Sequence, residues 1–113
     1  MVPKRVSREQ RTKCLRAALG DDTSSQLLLA LDPAPRTVHE LVRLLDLPQS
    51  TVYYKLGRLQ HCGLVAVVYS SGPNLKRVEA FKSMVSTVEI EFHQGKLDVT
   101  AHYRRRGRAP APS

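Results

Sequence analysis

Two amphipathic stretches separated by a very short turn constrain this chain more than any other feature. From Thr37 onward, Val38, Leu41, Val42 and Leu45 recur at helical spacing. After the turn Leu47-Pro48-Gln49-Ser50, the residues Val52, Leu56 and Leu59 do so again. Thr37 with Glu40 three positions on has the spacing of a capping box, and Gly63 is placed to close the second stretch. Two helices joined by so short a turn must cross steeply, which is the geometry of a helix-turn-helix.

The flanking sequence extends this unit on both sides. Ser7 with Gln10 predicts a capped helix whose inner face holds Cys14, Leu15, Ala18 and Leu19, with Arg8, Arg11, Lys13 and Arg16 facing out and Gly20 ending it. Asp21 and Asp22 open a second helix lined by Leu27, Leu28 and Leu31, which Asp32-Pro33-Ala34-Pro35 stops. Beyond Gly63 the period becomes extended. Residues 64–69 and 76–81 read as strands around a turn cluster at 70–74, the wing that follows a recognition helix. Val88, Ile90 and Phe92 alternate with polar residues, and Gln94-Gly95-Lys96 turns the chain into Leu97, Val99, Ala101 and Tyr103. The expected fold is therefore α+β, a winged helix-turn-helix of about four helices with a β-hairpin wing and a second C-terminal β-hairpin. Residues 1–6 are expected to form a flexible basic lead, 7–82 the winged domain, 83–103 a hairpin available for dimerisation, and 104–113 a disordered basic tail.

Size and charge narrow the function classes. With 113 residues the chain has room for one modest core and for no second, catalytic domain. A net charge of +8 and a pI near 10.0 point to a polyanionic partner, nucleic acid first. No apolar run approaches the ~18 residues of a spanning helix, and no apolar core follows the basic N-terminus, so neither a membrane partner nor export is expected and the cytoplasm is the expected location. Cys14 and Cys62 form no Cys-x-x-Cys pair, so the spacing writes neither a disulfide framework nor a zinc site. Each lies among apolar neighbours and is expected to be a small buried hydrophobe, although a redox or metal role stays open. His39, His61, His93 and His102 lack ligand spacing, so no metal or other cofactor is expected. With no nucleophile elbow, phosphate loop or paired carboxylates, the chain carries no enzyme signature.

A reading helix must bury one face and present the other. With Val52, Leu56 and Leu59 inward, Gln49, Ser50, Thr51, Tyr53, Tyr54, Lys55 and Arg58 are left on the outer and flanking faces of helix 49–61. Gln can pair with adenine, Ser, Thr and Tyr can reach phosphates, and Lys or Arg can bond guanine or phosphate. A generic solvated helix would mix charge signs, whereas this stretch is free of acid: the first carboxylate after Asp46 is that of Glu79. Asn74, Lys76 and Arg77 near the wing tip are placed to meet the backbone beside the groove, and Arg104 to Arg108 could follow phosphates or simply keep the chain end soluble.

Several stretches together resemble a known family. They are Ala18-Leu19 and Asp21 through Ala30-Leu31, then Thr37-Val38 and Glu40-Leu41, then Leu45 and Leu47-Pro48-Gln49-Ser50-Thr51-Val52-Tyr53 with Leu56, and finally Gly63-Leu64-Val65. The sequence from about Arg8 to Phe81 resembles the winged-helix domain of ArsR-like transcription regulators, especially archaeal ones. The resemblance implies a major-groove reader at 49–61 and a wing at 64–82. The cysteine pair of metal-sensing members is replaced by Thr37-Val38-His39-Glu40-Leu41-Val42, so metal control is not implied. Asp46 stands where glycine is common in the turn, and Gly57 where a charged residue is common in the reading helix. The expectation is a sequence-specific regulator that binds double-stranded DNA, represses by occupying a promoter and acts as a homodimer through helix 7–19 or hairpin 85–103. The competing expectation is a winged-helix module that binds protein or RNA within a larger transcription or nucleic-acid complex.

Overall fold

The computed structural model describes residues 7–71 and 77–104. The expectations for Asn74, Lys76, residues 1–6 and the tail from 105 to 113 lie outside the described residues.

Local chemistry sets each helix boundary. In α1 (Arg8–Leu19) the Gln10 backbone N–H donates to the Ser7 hydroxyl at 3.1 Å. In α2 (Asp22–Leu31) the Asp21 carboxylate accepts from both the backbone N–H (3.0 Å) and the hydroxyl (2.7 Å) of Ser24. In α3 (Val38–Leu45) the capping box closes reciprocally: Glu40 N–H donates to Thr37 Oγ1 at 3.1 Å and Thr37 N–H to Glu40 Oε1 at 2.9 Å. Asp46 ends α3 in the left-handed region (φ 53°), which a short polar side chain tolerates better than most. Pro48 opens α4 (Gln49–His61), where its missing N–H costs nothing. Gly63, at φ 79°, turns the chain out of it.

Two antiparallel ribbons follow. Strands β1 (Val65–Ser71) and β2 (Arg77–Ser83) form the wing, with Val67 opposite Phe81 and Val65 opposite Ser83. The segment entering α3 adds one bridge to this ribbon: Arg36 and Phe81 exchange both backbone hydrogen bonds, at 3.0 and 2.8 Å. Strands β3 (Val85–His93) and β4 (Lys96–Tyr103) meet through Gln94 and Gly95, whose positive φ values of 49° and 74° suit a tight hairpin. Among the described residues the result is the expected α+β layout of four helices and two hairpins.

The core lies where the four helices meet β1 and β2. Leu15, Leu27, Leu31, Leu41, Val52, Leu56 and Leu64 are essentially sealed from solvent. The base of the second ribbon closes it, because Val85, Val88, Val99, Ala101 and Tyr103 pack against this cluster. Phe92, at the ribbon's far end, is 87% exposed, and Ile90 and Leu97 are open as well.

Several placements differ from the sequence expectation. Cys14 and Cys62 are not isolated hydrophobes: they form a disulfide between α1 and the C-cap of α4, with Cα atoms 6.1 Å apart, within the range such a bond requires. Spacing rules register only cysteines close in sequence, and these two are 48 residues apart. Arg11 is half-buried rather than turned fully to solvent, because β4 packs against that side of α1. Its guanidinium sits 4.5 Å from the centre of the Tyr103 ring, and its Nε is buried without a hydrogen-bond partner. Arg104, expected to begin a free tail, donates to the Ser83 carbonyl (2.9 Å) and pairs with Asp32 (2.7 Å), tying the ribbon's end to the end of α2. Leu19 is also more open than its helical position suggests, at 38%.

Candidate nucleic-acid interface

α4 is gripped along one side only. Val52, Leu56 and Leu59 are each at most 4% exposed and fix the helix by burial, the non-directional force that holds an element rigidly without using its polar face. On the other side Gln49, Ser50, Tyr53, Tyr54 and Arg58 are exposed together. Tyr53 and Tyr54 leave more than half of their surface open, which is unusual for residues of that size. Thr51 and Lys55 lie half-buried on one flank.

The charged members of this face are not equivalent. Lys55 Nζ stands 3.0 Å from Asp21 Oδ2, so its charge is already engaged by the cap of α2. Hydrogen bonds from the Ser24 hydroxyl, from Lys55 and from the Ser24 backbone N–H together lower the Asp21 pKa from 3.8 to about 2. Arg58 meets no carboxylate among the described residues. Its Nη1 donates to Tyr54 Oη at 3.2 Å, which pre-orients the guanidinium on the open face while leaving most of its donors unused. No acidic residue occurs between Asp46 and Glu79, so α4 brings no carboxylate of its own to that face, and the acid that reaches it is Asp21, held by Lys55 on the flank.

The wing adds a second basic position. Arg77 lies with its guanidinium 4.1 Å from the centre of the Tyr69 ring, and both side chains are exposed. Stacking of this kind fixes the guanidinium plane and leaves its edge free to bond phosphate. Thus the expected set divides in three. Gln49, Ser50, Tyr53, Tyr54 and Arg58 share one open helix face, Thr51 and Lys55 sit on its flank, and Arg77 is on the wing.

Sequence reasoning misses three residues beside this face. Gln10 from α1, Gly57 and His61 line a shallow groove with Tyr53, Tyr54 and Arg58, above the Cys14–Cys62 disulfide. The sequence reading weighs His61 only as a metal ligand and sets it aside, yet it falls seven residues after Tyr54, two helical turns along the same stripe. Gln10 could not be placed there without the tertiary contact between α1 and α4. Among the described residues, no three His, Cys, Asp or Glu side chains gather closely enough to hold a metal ion, and no helix is long and apolar enough to cross a membrane.

Residues 19–68 match the sequence model of a helix-turn-helix domain family. The span runs from the end of α1 into β1, and so takes in the whole α3–turn–α4 unit. No curated protein matches the chain. Residues 19–68 are therefore similar to a helix-turn-helix domain, and they sit in an α+β layout consistent with a winged helix-turn-helix, a type of domain that binds DNA in transcription regulators.

Proposed function

We propose that this protein is a transcription regulator that binds double-stranded DNA sequence-specifically, with α4 in the major groove and the β1–β2 wing against the backbone. The observation that carries this reading is the open, acid-free face of α4, where Arg58, Tyr54, Tyr53, Gln49 and Ser50 project from a helix whose opposite side is sealed in the core. A helix held this way can enter a groove without unfolding anything, and its side chains match the donor and acceptor pattern of base edges and phosphates. Pro48 provides no side-chain cap, so the first amides of α4 are also available to a phosphate.

Regulation is proposed to be repression by promoter occupancy, with a homodimer reading paired half-sites. One module of this size covers little DNA, and two-fold pairing doubles the contacts. The β3–β4 ribbon supports that state: its apolar face continues past the body through Ile90, Phe92 and Leu97, where no described residue covers it. A regulator of this kind acts where the chromosome is, and the cytoplasm is the location proposed for it.

Selection of bound sequences from random duplex tests the reading. Enrichment of one motif, repeated as an inverted pair, is the expected result. Recovery of unenriched sequence, or a preference for single-stranded RNA over duplex, would overturn it.

A further inference from the structure

Gly57 sits in the middle of α4, where glycine weakens a helix relative to alanine because it has more backbone freedom to lose. Two features inside a chain commonly require such a glycine, and neither applies. Its backbone is not left-handed, unlike that of Gly63, and a Cβ added to it would meet no atom within 4 Å. The free protein would thus be more stable with alanine there. The gap it leaves is on the open face: Tyr53 and Tyr54 stand one turn before it and His61 one turn after. Below lies the Cys14–Cys62 disulfide, so the floor and two walls are apolar, with the Arg58, Gln10 and His61 polar groups at the rim.

We propose that Gly57 is the point of closest approach between α4 and the DNA, and that the notch between Tyr53, Tyr54 and His61 seats the 5-methyl group of a thymine. This rests on the DNA-binding reading above. In the major groove the base edges present nitrogen and oxygen atoms as their polar code, and the thymine methyl is the apolar projection among them. A methyl group gains dispersion energy only at van der Waals distance, about 3.5–4.0 Å between carbons, and a Cβ at position 57 would take up that space. The aromatic walls give the methyl apolar partners, and the rim donors remain free for the polar edges of the neighbouring bases.

The test uses a duplex recovered by the selection, prepared with thymine and with deoxyuridine, and the full-length wild-type, Gly57→Ala and Gly57→Leu proteins. Wild-type protein should lose about fourfold in affinity for each seated methyl removed. Gly57→Ala should melt higher, by roughly 4–8 °C, yet bind the thymine duplex about tenfold more weakly or worse and no longer distinguish it from the deoxyuridine duplex. Gly57→Leu should bind more weakly still. Equal binding of both duplexes by the wild type, or undiminished affinity of Gly57→Ala, would overturn the notch while leaving DNA binding intact. Failure of the wild type to bind any duplex would instead overturn the DNA-binding reading together with the notch.

Discussion

Reducing the Cys14–Cys62 disulfide should cost this fold a large share of its stability. The bond closes a loop of 48 residues that holds the end of α1 and all of α2, α3 and α4. Loop-closure entropy of the unfolded chain then assigns it about 4 kcal/mol at 25 °C, toward the upper end for a native crosslink. Small domains have only ~5–15 kcal/mol of stability in all, so the shift in midpoint should be unmistakable. Urea unfolding followed by circular dichroism, on oxidised protein, reduced protein and the Cys14→Ser/Cys62→Ser variant, separates the contributions. Oxidised protein should be the most stable by ~3–4 kcal/mol, and the other two should lie close together, since each lacks the crosslink. Either single serine variant should be as unstable as the double one. Intact mass gives the state directly, because the crosslinked chain lacks two hydrogen atoms. Two free thiols in air-oxidised protein, or a stability difference below ~1 kcal/mol, would refute the reasoning.

Other outcomes follow from single contacts. Arg58→Ala should weaken binding to the selected duplex by ~1–3 kcal/mol with little change in melting temperature, because its hydrogen-bond partner among the described residues is the exposed Tyr54 hydroxyl. Lys55→Ala should cost less affinity than Arg58→Ala, since Lys55 must leave Asp21 to reach a phosphate; fluorescence anisotropy would reveal the order. Asp21 has a folded pKa near 2, below its ordinary 3.8, so its contribution is present above the unfolded value and disappears as pH falls through about 2. Asp21→Asn keeps a good helix cap but should flatten this acid limb of the stability profile, as read by thermal melts from about pH 5 downward. Phe92→Glu should leave the monomer fold intact, given its 87% exposure, while lowering the mass of the assembly by light scattering. An unchanged dimer would place the interface elsewhere.

Much of the architecture is written locally. Thr37 and Glu40 close the predicted box, Asp46 takes the left-handed turn position, Gly63 ends α4 and Gln94-Gly95 makes the ribbon turn. Each depends on neighbours a few positions away, which is why the sequence shows them. The spacing of Val52, Leu56 and Leu59 likewise determines which side of α4 is buried, and so which is open. What the sequence hides depends on contacts distant along the chain. The wheel of α1 puts Arg11 outside, but a helical wheel cannot know that Tyr103 will arrive from β4 to stack on it. The same blindness hides the partner of Cys14, the anchoring of Arg104 by Asp32 and the engagement of Lys55 by Asp21. The groove over Gly57 belongs to both classes: His61 is legible from helical spacing, whereas Gln10 and the disulfide beneath it are not.

The central claim, that the open face of α4 reads DNA sequence, is tested most directly by equilibrium titration of the selected duplex and a scrambled duplex of equal composition. Wild-type protein and the Tyr54→Ala/Arg58→Ala variant should be compared at one fixed salt concentration. The wild type should prefer the selected duplex by ~10³-fold or more. The variant should bind both duplexes with the same weak, salt-sensitive affinity, because wing and residual backbone contacts remain while base reading is lost. A variant that keeps the wild-type preference would contradict the account.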